Sequence, residues 1–120
     1  MQHSGLENGR WSEMPFVEQM ANIGSEVGRT AKWKIKGKDD IAQNAFERAL
    51  ELIDLVIRYG RQNATNPYSN RKNMLKEICR VREFFCAAFL ENDTESLQYY
   101  EQYFGHFASA QRLSIVKRKN

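Results

Sequence analysis

Cysteine, histidine and proline are scarce in this chain, with two of each among 120 residues. Cys79 and Cys86 lie seven positions apart on one predicted helix. That spacing is about 10 Å of rise at ~1.5 Å per residue, whereas a disulfide needs Cα atoms within roughly 7 Å. The two cannot pair with each other, and free thiols fit a reducing cytoplasm. The histidines, His3 and His106, complete no metal quartet, so no metal or other cofactor is expected. No apolar run approaches the roughly 20 residues of a membrane span. Residues Met1 to Ser12 are polar and lack the apolar centre of a secretory signal. Residues 1–13 read as a flexible leader, with Met14 as an alternative start and Trp11 as the one residue suited to docking. The sequon Asn63-Ala64-Thr65 then has no glycan to carry. Also missing are a phosphate-binding glycine loop, a Glu-x-x-His motif, a nucleophile elbow, internal repeats and low-complexity tracts.

What remains is ordinary in amount and uneven in arrangement. Apolar residues make up 42% and charged residues 28%, the balance of a soluble globular domain rather than a disordered chain. One domain of this length buries roughly two-thirds of its unfolded surface. The net charge of +3 is split: Glu26 to Lys38 holds five bases and one acid, and Arg112 to Asn120 four bases and no acid. Asp39 to Tyr59 holds five acids against two bases. Basic ends and an acidic flank follow.

Four apolar stripes at helical spacing predict an all-α, up-down-up-down four-helix bundle over residues 14–113, with a frayed basic tail at 114–120. The first helix runs from Pro15, a good first-turn residue, to Lys36, with Phe16, Met20, Ile23, Val27 and Ala31 inward. Beside them Ala21, Gly24, Gly28 and Ala31 form a small-residue ridge. Each helical glycine costs about 1 kcal/mol relative to alanine, so the ridge predicts close approach of another backbone. Gly37 stops this helix, and Asp39 or Asp40 caps the next. In that second helix Ala42, Ala45, Ala49, Leu52, Val56 and Tyr59 form one row, and Phe46, Leu50, Ile53 and Ile57 another. So broad a face exceeds one bundle core, which predicts a dimer along the first or second helix. Asp54 and Arg58 are a favourable i,i+4 pair, and Gly60 is the expected stop. After Asn66-Pro67, Ser69 or Asn70 caps a third helix from about Arg71 to Leu90, with Met74, Ile78, Val81, Phe85 and Ala88 inward. Arg82 lies beside this row and needs a carboxylate, which Glu47, Glu51 or Asp54 could supply. Asp93 or Thr94 caps a fourth helix to about Leu113, with Leu97, Tyr100, Phe104, Phe107 and Ala108 inward.

Two patches are candidates for binding. Arg29, Lys32, Trp33, Lys34 and Lys36 interleave bases with an indole, which suits phosphates and a stacked base of RNA or single-stranded DNA. The plain structural alternative is a helix end whose lysines answer the dipole. Tyr99 and Tyr103 flank the inward aromatics of the fourth helix and, with Ala21, Gly24 and Gly28, are the interface candidates. His106 is the only obvious candidate base, and no catalytic residue is assigned.

The segment Ala42-Gln43-Asn44-Ala45-Phe46-Glu47-Arg48-Ala49-Leu50-Glu51-Leu52, with Trp33 in the preceding helix, resembles the HEPN superfamily and the related substrate-binding partners of minimal nucleotidyltransferases. The resemblance spans about Ala31 to Phe89. It implies a small helical bundle, commonly homodimeric, with a nucleotidyltransferase as a possible partner. Members that cut RNA carry an Arg-x4-6-His motif, and this chain departs there: Arg61 leads to Asn66-Pro67-Tyr68 with no histidine. The expectation is therefore a cytoplasmic, non-catalytic interaction or accessory module that self-associates. RNA or single-stranded nucleic-acid binding is the alternative, and a nuclease the third reading.

Overall fold

The structure, a computed structural model, describes residues 14–62 and 70–119, and for 60–62, 70–72, 108 and 110–119 the backbone alone. Four helices follow one another: α1 (Phe16–Ile35), α2 (Asp39–Gln62), α3 (Asn70–Leu90) and α4 (Thr94–Lys119). No strand occurs among the described residues. The chain is an all-α four-helix bundle in which α1 packs on α4 and α2, and α3 on α2 and α4. The leader expected at 1–13 lies outside the described residues.

Two of the connections share one stop. Gly37 takes a left-handed φ of 74°, its N–H donates to the Lys34 carbonyl (3.1 Å), and the Lys38 N–H donates to Trp33 (2.9 Å). Asn92 takes φ 57°, with its N–H on Phe89 (3.3 Å) and the Asp93 N–H on Ala88 (2.8 Å). Each pattern satisfies the last free carbonyls of a helix and turns the chain sharply back. Asp93 then caps α4, accepting from the Ser96 N–H (3.1 Å) and the Ser96 hydroxyl (2.7 Å). These two hydrogen bonds hold the Asp93 carboxyl below the usual carboxylate range.

Several expected boundaries move. Pro15 sits one residue before α1, its carbonyl accepting from the Gln19 N–H (3.0 Å). Asp39 and Asp40 are first-turn acids of α2, with the first carbonyl supplied by Lys38 to Ala42. Gly60 does not end α2, which continues to Gln62: one helical glycine costs about 1 kcal/mol, less than the packing of the face before it supplies. Likewise α4 continues past Leu113 to Lys119, since no glycine or proline follows Gly105 and the terminal bases suit the helix C-terminus.

The core lies along the bundle axis. Met20, Ile23, Val27 and Ala31 of α1 meet Ala42, Ala45, Ala49, Leu52, Ile53 and Val56 of α2. Ile78, Val81, Phe85, Ala88 and Phe89 of α3 and Leu97 and Phe104 of α4 complete it. Leu55, on neither of the two expected rows, is also buried. The broad face of α2 is thus absorbed inside the chain, with α1 against one side and α3 against the other. Leu50, Ile57 and Tyr59 of that face pack against the core while staying partly exposed.

Candidate functional site

The small-residue ridge is spent within the chain. A Cβ on Gly24 would lie 3.0 Å from Phe104 Cβ and 3.4 Å from its backbone carbon, and one on Gly28 would meet the Glu101 carboxylate at 2.7 Å. The expected close approach is therefore that of α4 upon α1. Ala21 beside them is half-buried. Above the seam runs an open groove of about 490 Å³, lined by Gly28, Arg29, Lys32 and Ile35 of α1 and by Gln98 and Glu101 of α4.

The five basic-patch residues divide. Lys34 has a side chain only 11% exposed; its Nζ sits 3.7 Å from Asp39 Oδ1 and 4.4 Å from the centre of the Phe89 ring. Phe89 in turn stacks on Phe46 at 4.1 Å, so Lys34 closes a cation–aromatic column that ties α1 to α2 and α3. Trp33 packs on the core edge, with Lys32 Nζ 5.0 Å and Lys36 Nζ 5.3 Å from its ring centre. Arg29 Nη1 pairs with Glu26 Oε1 at 2.7 Å. The outward cations are Arg29, Lys32 and Lys36, at i, i+3 and i+7, of which Arg29 and Lys32 line the groove. The basic end of α4 leaves the bundle at the opposite end from the 36–38 turn, because α4 runs antiparallel to α1.

Glu26 is a feature the sequence reading missed. It is 8% exposed, with one carboxylate oxygen on Arg29 and the other 3.0 Å from Arg48 Nε. The Glu26 carbonyl accepts from the buried Thr30 hydroxyl at 2.8 Å. A signal existed: Glu26 is the single acid of a basic stretch and adjoins the inward row at Val27. On the next seam Arg82 finds its partner, with Nε 2.7 Å from Asp54 Oδ1 and Nη2 3.4 Å from Oδ2. Among the described residues no ion pair joins Asp54 to Arg58; Arg82 takes its place.

The fourth helix presents its tyrosines unequally. Tyr103 is half-buried, donates its hydroxyl to Glu77 Oε1 (2.8 Å) and meets Phe104 and Phe107 edge-on. Burial, followed by the Glu77 carboxylate, pushes its ionisation well above the ordinary tyrosine range. Tyr99 is 62% exposed and touches only the edge of Tyr100 among the described ring pairs. Two turns along α3 from Glu77 lies Phe84, 56% exposed, with Leu90 at 75% near the helix end. Phe84 and Leu90 were also missed. The available signal was Phe84 itself, a large apolar side chain 100° away from the inward Phe85.

His106 is exposed on α4, and no cluster of three or more His, Cys, Asp or Glu side chains suited to a metal occurs among the described residues. No helix among the described residues is long and apolar enough to cross a membrane. Comparison with protein-family models, with curated proteins and with solved structures finds no match to this chain.

Proposed function

We propose that this bundle is a non-catalytic interaction module whose docking surface is the outer flank of α3 and α4. The observation that carries the reading is that three of the five large apolar side chains exposed among the described residues, Phe84, Leu90 and Tyr99, lie on α3 and α4, Ile35 and Ile41 being the other two. Large apolar side chains ringed by polar ones mark protein contacts. The occupants consistent with the HEPN-like pattern of α2 are a second copy of the chain or a minimal nucleotidyltransferase, in the reducing cytoplasm that free Cys79 and Cys86 suit. Hydrogen exchange across a protein concentration series, and with a purified minimal nucleotidyltransferase, tests it. The expected result is selective slowing at α3 and α4 in at least one series; no slowing at that flank in either overturns the reading.

A second reading has one observation in its favour, the outward row of Arg29, Lys32 and Lys36 beside the groove. Such a row binds single-stranded RNA through phosphates, with affinity falling steeply as salt rises. Lys32→Glu is expected to weaken binding of an unstructured oligonucleotide at low salt. Equal affinity of the variant and the parent chain removes that reading.

A further inference from the structure

The outward face of α3 has a spacing that is the same in both directions. Arg80, Phe84, Ala87 and Glu91 follow one another at steps of four, three and four, within an arc of about 60° at 100° per residue. All four are exposed, on the side of the helix away from buried Ile78, Phe85 and Phe89. Glu91 belongs to this face although α3 ends at Leu90, because its N–H still bonds to the Ala87 carbonyl at 2.9 Å. Neither Arg80 nor Glu91 has an ion-pair partner among the described residues. Reversing the helix about the midpoint of the four exchanges Arg80 with Glu91 and Phe84 with Ala87. Of the two charged residues among the four, Arg80 lies before the midpoint and Glu91 after it, so the charge reverses with the direction of the helix.

We propose that the occupant of this face is a second copy of the chain, docked α3 to α3 in antiparallel about a twofold axis outside the Phe85–Cys86 backbone. Each Arg80 then meets the partner's Glu91 at either end of the seam. Each Phe84 ring rests on the partner's Ala87, whose single methyl leaves room for it. A parallel arrangement sets like charges side by side and stacks phenylalanine on phenylalanine, so the antiparallel one is selected. Contact between single helix faces is smaller than the standard interface of about 800 Å² per partner, so a weak, concentration-dependent dimer is expected. The inference rests on the interaction-module reading and names its partner.

Sedimentation velocity and light scattering on the full chain test the pairing. The parent chain is expected to pass, with rising concentration, from 14.0 kDa to twice that mass. Phe84→Ala is expected to weaken the dimer about thirtyfold, and Arg80→Glu or Glu91→Arg each about tenfold. An equimolar mixture of Arg80→Glu and Glu91→Arg is expected to dimerise as the parent does, because every new carboxylate then faces a new guanidinium. Circular dichroism confirms that the variants, all at exposed positions, remain folded. A parent chain that stays monomeric up to its solubility limit overturns the proposal. So does a mixture that dimerises no better than its components. A dimer indifferent to all three variants overturns the α3 seam while leaving the interaction-module reading in place; absence of exchange protection at the α3–α4 flank removes that reading itself.

Discussion

The two seams of α4 differ in kind. Toward α1 it meets glycine, so backbone approaches backbone and α1 is held more intimately by α4 than by any other helix. Toward α3 it meets long side chains, joined by the Tyr103–Glu77 hydrogen bond, with Phe84 and Tyr99 left outside. Small residues let a seam close backbone to backbone. Large ones hold the helices apart and keep apolar area at the surface. The contrast places tight packing at the α1 seam and the face proposed for binding at the α3 flank.

Substitutions at the α1–α4 seam test the first half of that contrast. Phe104→Ala removes the ring buried against Gly24 and is expected to cost about 3–5 kcal/mol, read as a fall in the urea midpoint at constant slope. Gly24→Val is next, at about 2–3 kcal/mol, because the new Cβ meets both Phe104 Cβ and its backbone, which cannot yield separately. A neutral result at Gly24 would mean that α1 and α4 are not in backbone contact. Gly28→Ala carries the opposite sign. Its Cβ meets only the end of the exposed, flexible Glu101 side chain, which can swing aside. The helix then gains up to about 1 kcal/mol of propensity, and a higher melting temperature is the expected readout. If Gly28→Ala destabilises instead, Glu101 is fixed and the groove beside it is more rigid than the contrast requires.

How much of this was legible in the sequence follows from the range of each interaction. The four helices, their inward rows and the left-handed stop at Gly37 are local, set by spacing and by one residue's conformational freedom, and the sequence shows them. The ridge of Gly24 and Gly28 announced a close approach but not its partner, since α2 and α4 both flank α1 and only three-dimensional packing chooses. Asn92 makes the same turn as Gly37 without glycine's signature, so the shared geometry was hidden behind a residue that tolerates a left-handed φ at some cost. Glu26 and Lys34 looked like solvent charges because their partners, Arg48 and Phe89, lie on other helices. Arg82 was legible as needing a carboxylate because its position on the helix fixed its burial, while the choice of Asp54 over its acidic neighbours required the register of α2 on α3. The apolar breadth of α2 is legible from spacing, but a single-helix count cannot see that α1 and α3 share the face between them.

The smallest effect tests the α3–α4 seam at its one polar tie. Tyr103→Phe keeps the edge-on contacts with Phe104 and Phe107 and removes only the hydroxyl that Glu77 accepts. Because Glu77 is exposed, the bond is worth about 0.5 kcal/mol rather than the full value of a buried charged hydrogen bond. Its pH dependence identifies it. The folded state holds the Tyr103 proton more tightly than the unfolded chain does, chiefly through burial. Its contribution is therefore complete below the ordinary tyrosine range near pH 10 and is lost as pH rises through it. Burial raises Tyr100 as well, so part of the alkaline loss must survive the substitution. The expected outcome is a variant slightly less stable at neutral pH, whose urea midpoint falls less than the parent's between pH 8 and the alkaline range. Equal alkaline slopes in the two proteins would place the Tyr103 hydroxyl in water and leave α3 tied to α4 by packing alone, a looser seam that would make the outer flank easier still to remodel around a partner.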